Sequence, residues 1–186
     1  PQGVLMTSGA FLMSALSLAL SKTHFPSRLK NCPPNLGALF ANARGNDATF
    51  LVYEDERYTF NEIHQQVRKL AAYLVDHGAT RGTRVALAMR NYPEWVVGYW
   101  ATVSIGAAVV GMNAWWTAPE MEYALNDSDP VVFVGDDERL ERLAQVPERP
   151  GMHVVAVRSD RVIPANGARW SDVMATADPG SLPVVD

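Results

Sequence analysis

The chain has one cysteine in 186 residues, Cys32. This excludes an intrachain disulfide and any zinc site built from thiolates. A lone thiol suits a reducing cytoplasm, which is the expected location. Excess positive charge is also missing. Sixteen Lys and Arg against twenty Asp and Glu leave a formal charge of -4, and no basic run appears. A dedicated nucleic-acid binder is therefore not expected. Neither nucleotide fingerprint, G-x-x-x-x-G-K-[ST] or G-x-G-x-x-G, is present. Gly106 and Gly111 flank a predicted strand, and Met112 stands where a phosphate-binding lysine is needed. Thr7-Ser8-Gly9 leads into apolar residues rather than a further glycine and lysine. The four histidines, His24, His64, His77 and His153, show no metal-ligand spacing, so no metal site is expected. No G-x-S-x-G marks a serine nucleophile.

What is present reads as a globular protein. A hydrophobic fraction of 48% with 19% charged residues is ordinary for a domain with a real core. No charge occurs before Lys22, and Phe11 to Leu20 form an apolar run interrupted by serines. That run lacks a basic lead-in and is too short to span a bilayer. The expectation is a helix packed on this or a neighbouring chain. Peripheral membrane contact through residues 4–20 and a targeting remnant are the alternatives.

Strand and helix signals alternate after residue 47. Thr49 to Tyr53 and Arg57 to Thr59 read as a hairpin across Glu54-Asp55-Glu56. Phe60, Ile63, Val67, Leu70, Ala71, Leu74 and Val75 make one helical stripe. Thr59 with Glu62 predicts a capping box, Tyr58 with Ile63 a hydrophobic staple, and Gly78 a left-handed stop. His64 is placed on this helix's polar face and His77 at its carboxyl end. Arg84 to Met89 reads as a buried strand. Asn91 is the predicted cap of an apolar helix over 93–105, with Pro93 in its first turn.

Ala107 to Met112 is a further strand, and Thr117 with Glu120 predicts a second capping box for a helix to about Asn126. Val131 to Val134 and Val154 to Val157 are the remaining strands. Between them the spacing predicts a short helix over 137–145, and a last one follows over 169–175. The acids Asp136, Asp137 and Glu138 are read as dipole partners of a helix start rather than as a catalytic pair.

This alternation predicts an α/β fold: a mostly parallel, doubly wound sheet with flanking helices and right-handed crossovers. The expected division is an N-terminal helical and irregular segment (1–47, with a helix over 36–43 begun by Asn35), an α/β subdomain (48–177) and a Pro- and Gly-rich linker (178–186). Asn113-Ala114-Trp115-Trp116 lies just past the carboxyl end of a predicted strand, where open α/β sheets bind ligands. Adjacent tryptophans are costly to expose, so they are expected to pack on this chain, on another domain or on a substrate. Asn113, Trp115 and Trp116 are the weak candidate substrate-binding residues. No catalytic, cofactor-binding or metal-binding residue is assigned. Apolar surface around Trp95 to Trp100 and an exposed sheet edge predict self-association, testable by sedimentation at micromolar concentration.

Three segments carry a family resemblance: R-Y-T-F-N-E-I (57–63), R-N-Y-P-E-W-V-V-G-Y-W-A (90–101) and G-A-A-V-V-G-M-N-A-W-W-T-A-P-E-M-E-Y-A-L-N-D-S (106–128). In this order they resemble the N-terminal part of AMP-forming acyl-CoA synthetases, the adenylate-forming ligases, over roughly 29–157. The N-A-W-W variant is similar to bacterial fatty-acid–CoA ligases. The resemblance implies one incomplete subdomain of the acyl-CoA synthetase fold. It also implies a parent enzyme that joins a fatty acid to CoA with ATP and Mg²⁺ through an acyl-adenylate. The family's phosphate loop, ribose-binding Asp and catalytic lysine have no counterpart in these residues. The chain alone is therefore expected to be inactive and to hold none of these cofactors tightly. A non-catalytic binding or assembly module, a Rossmann-type nucleotide binder, and a piece of a fatty-acyl-AMP or aryl-acid–CoA ligase are the alternatives.

Overall fold

A computed structural model describes residues 5–6, 33–180 and 182–183. The apolar run at 11–20, Thr7-Ser8-Gly9 and Cys32 lie outside these residues. Two sheets are present. The smaller is antiparallel, in the order β1 (Leu5–Met6), β2 (Thr49–Tyr53), β3 (Glu56–Thr59). Its turn needs a left-handed residue, and Glu54 supplies it at φ 49°.

The larger sheet is parallel and five-stranded: β5 (Ala108–Gly111), β4 (Arg84–Ala88), β6 (Val132–Asp136), β7 (His153–Val157), β8 (Gly167–Arg169). Side chains alternate between its faces, so each strand feeds two cores. Val85, Leu87, Val132, Val134, Val155 and Val157 face α2 (Phe60–Asp76), α3 (Pro93–Ser104) and α6 (Trp170–Thr176). Ala86, Ala88, Phe133 and Val154 face α4 (Ala118–Ser128) and α5 (Asp137–Leu143). Helices thus cover both faces, and the sheet is doubly wound as expected.

Local signals explain the helix limits. Thr59 Oγ1 accepts from Glu62 N (3.1 Å) while the Glu62 carboxylate accepts from Thr59 N (2.7 Å), closing the predicted box on α2. Gly78 at φ 85° ends that helix, with Ala79 N donating to Leu74 O at 2.8 Å. The second box forms at Thr117 and Glu120. The cap of α3 differs from expectation. Tyr92, not Asn91, is the N-cap, and its side chain makes no cap hydrogen bond. Pro93 removes one of the orphan N–H groups, so the helix starts without a side-chain acceptor.

Two other positions depart from the sequence reading, and the packing of α1 adds to it. α1 (Leu36–Ala41), capped by the Asn35 side chain, contributes Phe40 to the main core. Phe40 is 6% exposed and stacks on Trp100 of α3 at 4.6 Å and 13°. His64 does not sit on an open polar face. Its ring is 6.0 Å from that of Phe40, and burial, chiefly, with Arg68 and Arg44 nearby, pushes its pKa below the usual histidine range. Strand β8 was not foreseen. It is only three residues long, too short for a period-2 pattern to register. Trp95, Tyr99 and Trp100 are partly buried against the core. Arg68 Nη2 donates to the carbonyls of Pro179 and Gly180, and Leu182 touches the core. No helix among the described residues is long and apolar enough to cross a membrane.

Candidate functional site

The chain leaves β4 toward β5 on one side and returns over β4 to β6 on the other. The carboxyl ends of β4 and β6 are therefore a topological switch point, where α/β sheets open a ligand crevice. Here the crevice is filled by side chains. Asp136, the last residue of β6, is 3% exposed and caps α5. Its Oδ2 accepts from Arg90 N at 2.9 Å, just past β4. Arg139, one turn into α5, is 1% exposed. Its Nη1 lies 3.1 Å from Asp136 Oδ1 and 3.0 Å from Oδ2. Its Nε donates to Ala114 O at 2.9 Å, and Nη2 donates to the same oxygen. Arg142 Nη1 adds a further bond to Ala114 O at 3.1 Å.

Ala114 is the centre of the candidate loop. Asn113 folds it: its Oδ1 accepts from Trp115 N (2.9 Å) and its carbonyl from Trp116 N (3.2 Å), an Asx-type turn. The two tryptophans then part. Trp116 packs on the second core with Met112 and Met121. Trp115 is 73% exposed, which leaves another domain or a substrate as its expected cover. The Arg90 guanidinium carbon sits 5.5 Å from its ring centroid. Arg90 Nη2 also bonds Glu138 Oε1 at 2.7 Å. The structure thus presents an exposed aromatic face with an ion-paired guanidinium beside it. Such a surface stacks a planar or apolar group.

The sequence reading singled out Asn113, Trp115 and Trp116, and all three lie on this one turn. It missed Arg90, Arg139 and Arg142. The available signal was Asp136 with Arg139, a carboxylate and a guanidinium one helical turn apart directly after an all-apolar strand. Asp136, Asp137 and Glu138 do serve the helix start. Asp136 accepts from Arg139 N, while Asp137 is held below the usual carboxylate range by the Ser159 hydroxyl and Arg161.

A second polar cluster lies past β7. Arg158, itself left-handed at φ 48°, forms a fork on Glu56 (2.8 Å and 2.8 Å) and a bond to Glu94 (2.9 Å). Its guanidinium carbon lies 5.1 Å from the Tyr53 ring and 5.0 Å from the Tyr92 ring. The Arg158 bond holds Glu56 below the usual glutamate range, and burial with the Glu56 bond pushes Tyr58 up to about 12. This clamp joins the small sheet to the large one; Arg158 pairs with both Glu56 and Glu94, while Glu94 Oε2 is buried without a hydrogen-bond partner among the described residues.

Among the described residues no group of three His, Cys, Asp or Glu side chains is placed to hold a metal. The starts of α3 and α5 carry Glu94 and Asp137 with Glu138, which disfavour a polyphosphate there. Among the described residues these helix starts do not fit Mg-ATP.

Comparison with known proteins bears on the family and the fold. The family model described as AMP-binding enzyme matches residues 39–181. The chain is 29% identical over 115 residues to a medium/long-chain-fatty-acid–CoA/3-oxocholest-4-en-26-oate–CoA ligase of Mycobacterium marinum, covering 61% of this chain and 21% of that protein. It is 35% identical over 92 residues to a long-chain-fatty-acid–CoA ligase of Bacillus subtilis, covering 50% of this chain and 16% of that protein. The chain thus spans about a fifth of the length of these relatives. In fold it is similar to an anthranilate CoA ligase in complex with anthranoyl-AMP (TM-score 0.71, 22% identity, 79% of this chain and 29% of that one). A benzoate CoA ligase from Burkholderia xenovorans gives a TM-score of 0.69 at 19% identity, covering 80% of this chain and 29% of that one. With the family match running over most of its length, this chain belongs to the AMP-binding enzymes.

Proposed function

We propose that this chain is the N-terminal part of a bacterial, cytoplasmic fatty-acid–CoA ligase of lipid metabolism. The overall reaction joins a fatty acid to CoA, with ATP, using Mg²⁺, and releases AMP and pyrophosphate. The contribution of these residues is structural: one sheet layer, 48–177, and a wall of the channel for acyl group or CoA. Residues 1–47 precede that layer and 178–186 lead away from it. Asn113, Trp115 and Trp116 are the residues proposed to meet substrate.

One observation carries this reading. The family match and the fatty-acid–CoA ligase relatives converge on a chain whose exposed tryptophan stands at the carboxyl edge of the parallel sheet. Nothing else on that edge offers a nucleophile or a phosphate cradle among the described residues, so the chain is expected to be inactive alone. Self-association through the outer edge of β5, which is unpaired among the described residues, also belongs to this proposal.

The test is a titration of the chain with millimolar CoA, followed by the amide and indole resonances. Selective shifts at Asn113, Trp115 and Trp116 are expected. No shift there at saturating ligand solubility overturns the wall assignment.

A further inference from the structure

We infer that Asp136 and Arg139 are positioning residues for the Trp115 face, and that together they set its aim relative to Arg90. This rests on the proposal that Trp115 meets substrate, and it adds residues to which no role in the site has been given.

Three loops leave the sheet beside one another, after β4, β5 and β6, and Asp136 with Arg139 joins all three, Arg142 adding a bond to Ala114 O and Glu138 one to Arg90. Asp136 fixes the first loop through Arg90 N at 2.9 Å and its own helix through Arg139 N at 3.2 Å. Arg139 fixes the middle loop through Ala114 O, with its Nη1 returned to Asp136 at 3.0 Å. The residue after Ala114 is Trp115 and the side chain on the first loop is that of Arg90, so both halves of the exposed face hang from this pair.

A buried Arg–Asp pair is poor evidence of stability, because apolar side chains of similar volume often replace one at no loss. Its geometry is better explained by precision. The guanidinium is planar and presents its donors in a fixed fork, so it dictates where Ala114 O sits. Lysine at this place keeps the charge beside Asp136 but cannot reach both partners from one plane. Little of Trp115 is buried among the described residues. It is 73% exposed, and its backbone is held by the Asn113 turn and the Ala114 anchor.

The experiment uses the whole chain with the R139K and W115F substitutions, the latter to assign the Trp115 indole signal. Hydrogen exchange of the Trp115 and Trp116 amides and the position of the Trp115 indole resonance are the readouts. In R139K these amides should exchange roughly tenfold faster and the indole signal should move. The amide of Met112, bonded to Leu87 O at 2.9 Å within the sheet, should keep its protection. A general loss of stability moves all of these together, which overturns the positioning role. So does an unchanged loop.

Should R139K not fold, R142A carries the test, because Arg142 is part-exposed and adds only one bond to Ala114 O. It should speed exchange at Trp115 and Trp116 a few-fold and nowhere else, and no change there overturns the inference. A CoA titration of the original chain and R139K separates this inference from the proposed function. CoA shifts weakened about tenfold or more in R139K, the scale on which displaced contacts lower binding, support both. A loosened loop in R139K, with no CoA response in either protein, sustains the positioning role and removes CoA as the ligand.

Discussion

Phe40→Ala tests whether the segment before residue 48 shares the core of the α/β layer. Phe40 is 6% exposed. Its ring stacks on Trp100 at 4.6 Å, and it lies 6.4 Å from Phe50 and 6.0 Å from His64. Those partners come from α3, β2 and α2, so this one ring joins four elements. A buried aromatic removes roughly 150–250 Å² from water, worth about 4–6 kcal/mol at about 25 cal/mol per Å². Alanine recovers little of this, and the measured range for Phe→Ala in cores is about 3–5 kcal/mol. For a chain of this size that is about 6–20 °C in Tm. Urea unfolding followed by circular dichroism gives the free energy, with Leu36→Ala as control. Leu36 is 45% exposed on the same helix and should lose under about 1 kcal/mol. A loss below about 1 kcal/mol for Phe40→Ala, equal to the control, refutes the shared core.

Further outcomes follow from the caps, the packing and the titrating groups. Thr59→Ala opens the box on α2 and should cost about 0.5–2 kcal/mol, read from the same urea curves. Gly98→Ala places a methyl 2.9 Å from Leu87 Cδ2, and the required shift should cost about 1–3 kcal/mol in a thermal melt. Glu56, Glu62, Glu120 and Asp137 all titrate below their usual range in the fold. The unfolded chain therefore binds protons first as pH falls. The stability these groups give is whole above the ordinary carboxylate range and is lost as pH drops through their depressed values. His64 adds an earlier step, because its folded pKa is lowered. Stability should begin to fall below about pH 6.5, and His64→Gln should remove that step from a pH series of melts.

The legible parts of the fold were those specified by neighbours in sequence. Thr59 with Glu62, Thr117 with Glu120, and Gly78 mark helix limits through bonds spanning three to five residues. The apolar strands β4, β6 and β7 announce their burial by composition alone. What escaped depends on residues far apart. Asn91 is a better cap than Tyr92 by side-chain chemistry, yet Pro93 at the first helical position removes the need for one. Leu36 to Ala41 carries no mark of the Trp100 ring that covers it, sixty residues later. The site divides in the same way. The turn that carries Asn113, Trp115 and Trp116 could be placed from the sequence, because it directly follows a parallel strand. Arg139 was not, because its role depends on Ala114, 25 residues before it. Of the covers expected for the two tryptophans, this chain supplies one for Trp116, and Trp115 is left exposed.

The central claim is that this chain supplies scaffold and a substrate wall, not chemistry. The direct measurement is ATP-dependent acyl-adenylate formation by the chain with Mg²⁺ and a panel of fatty acids, detected by mass spectrometry. No adenylate and no ATP-dependent shift in melting are predicted, with CoA resonance shifts confined to the Asn113–Trp116 turn. Adenylate formed in proportion to the chain, and abolished by unfolding it, contradicts the account.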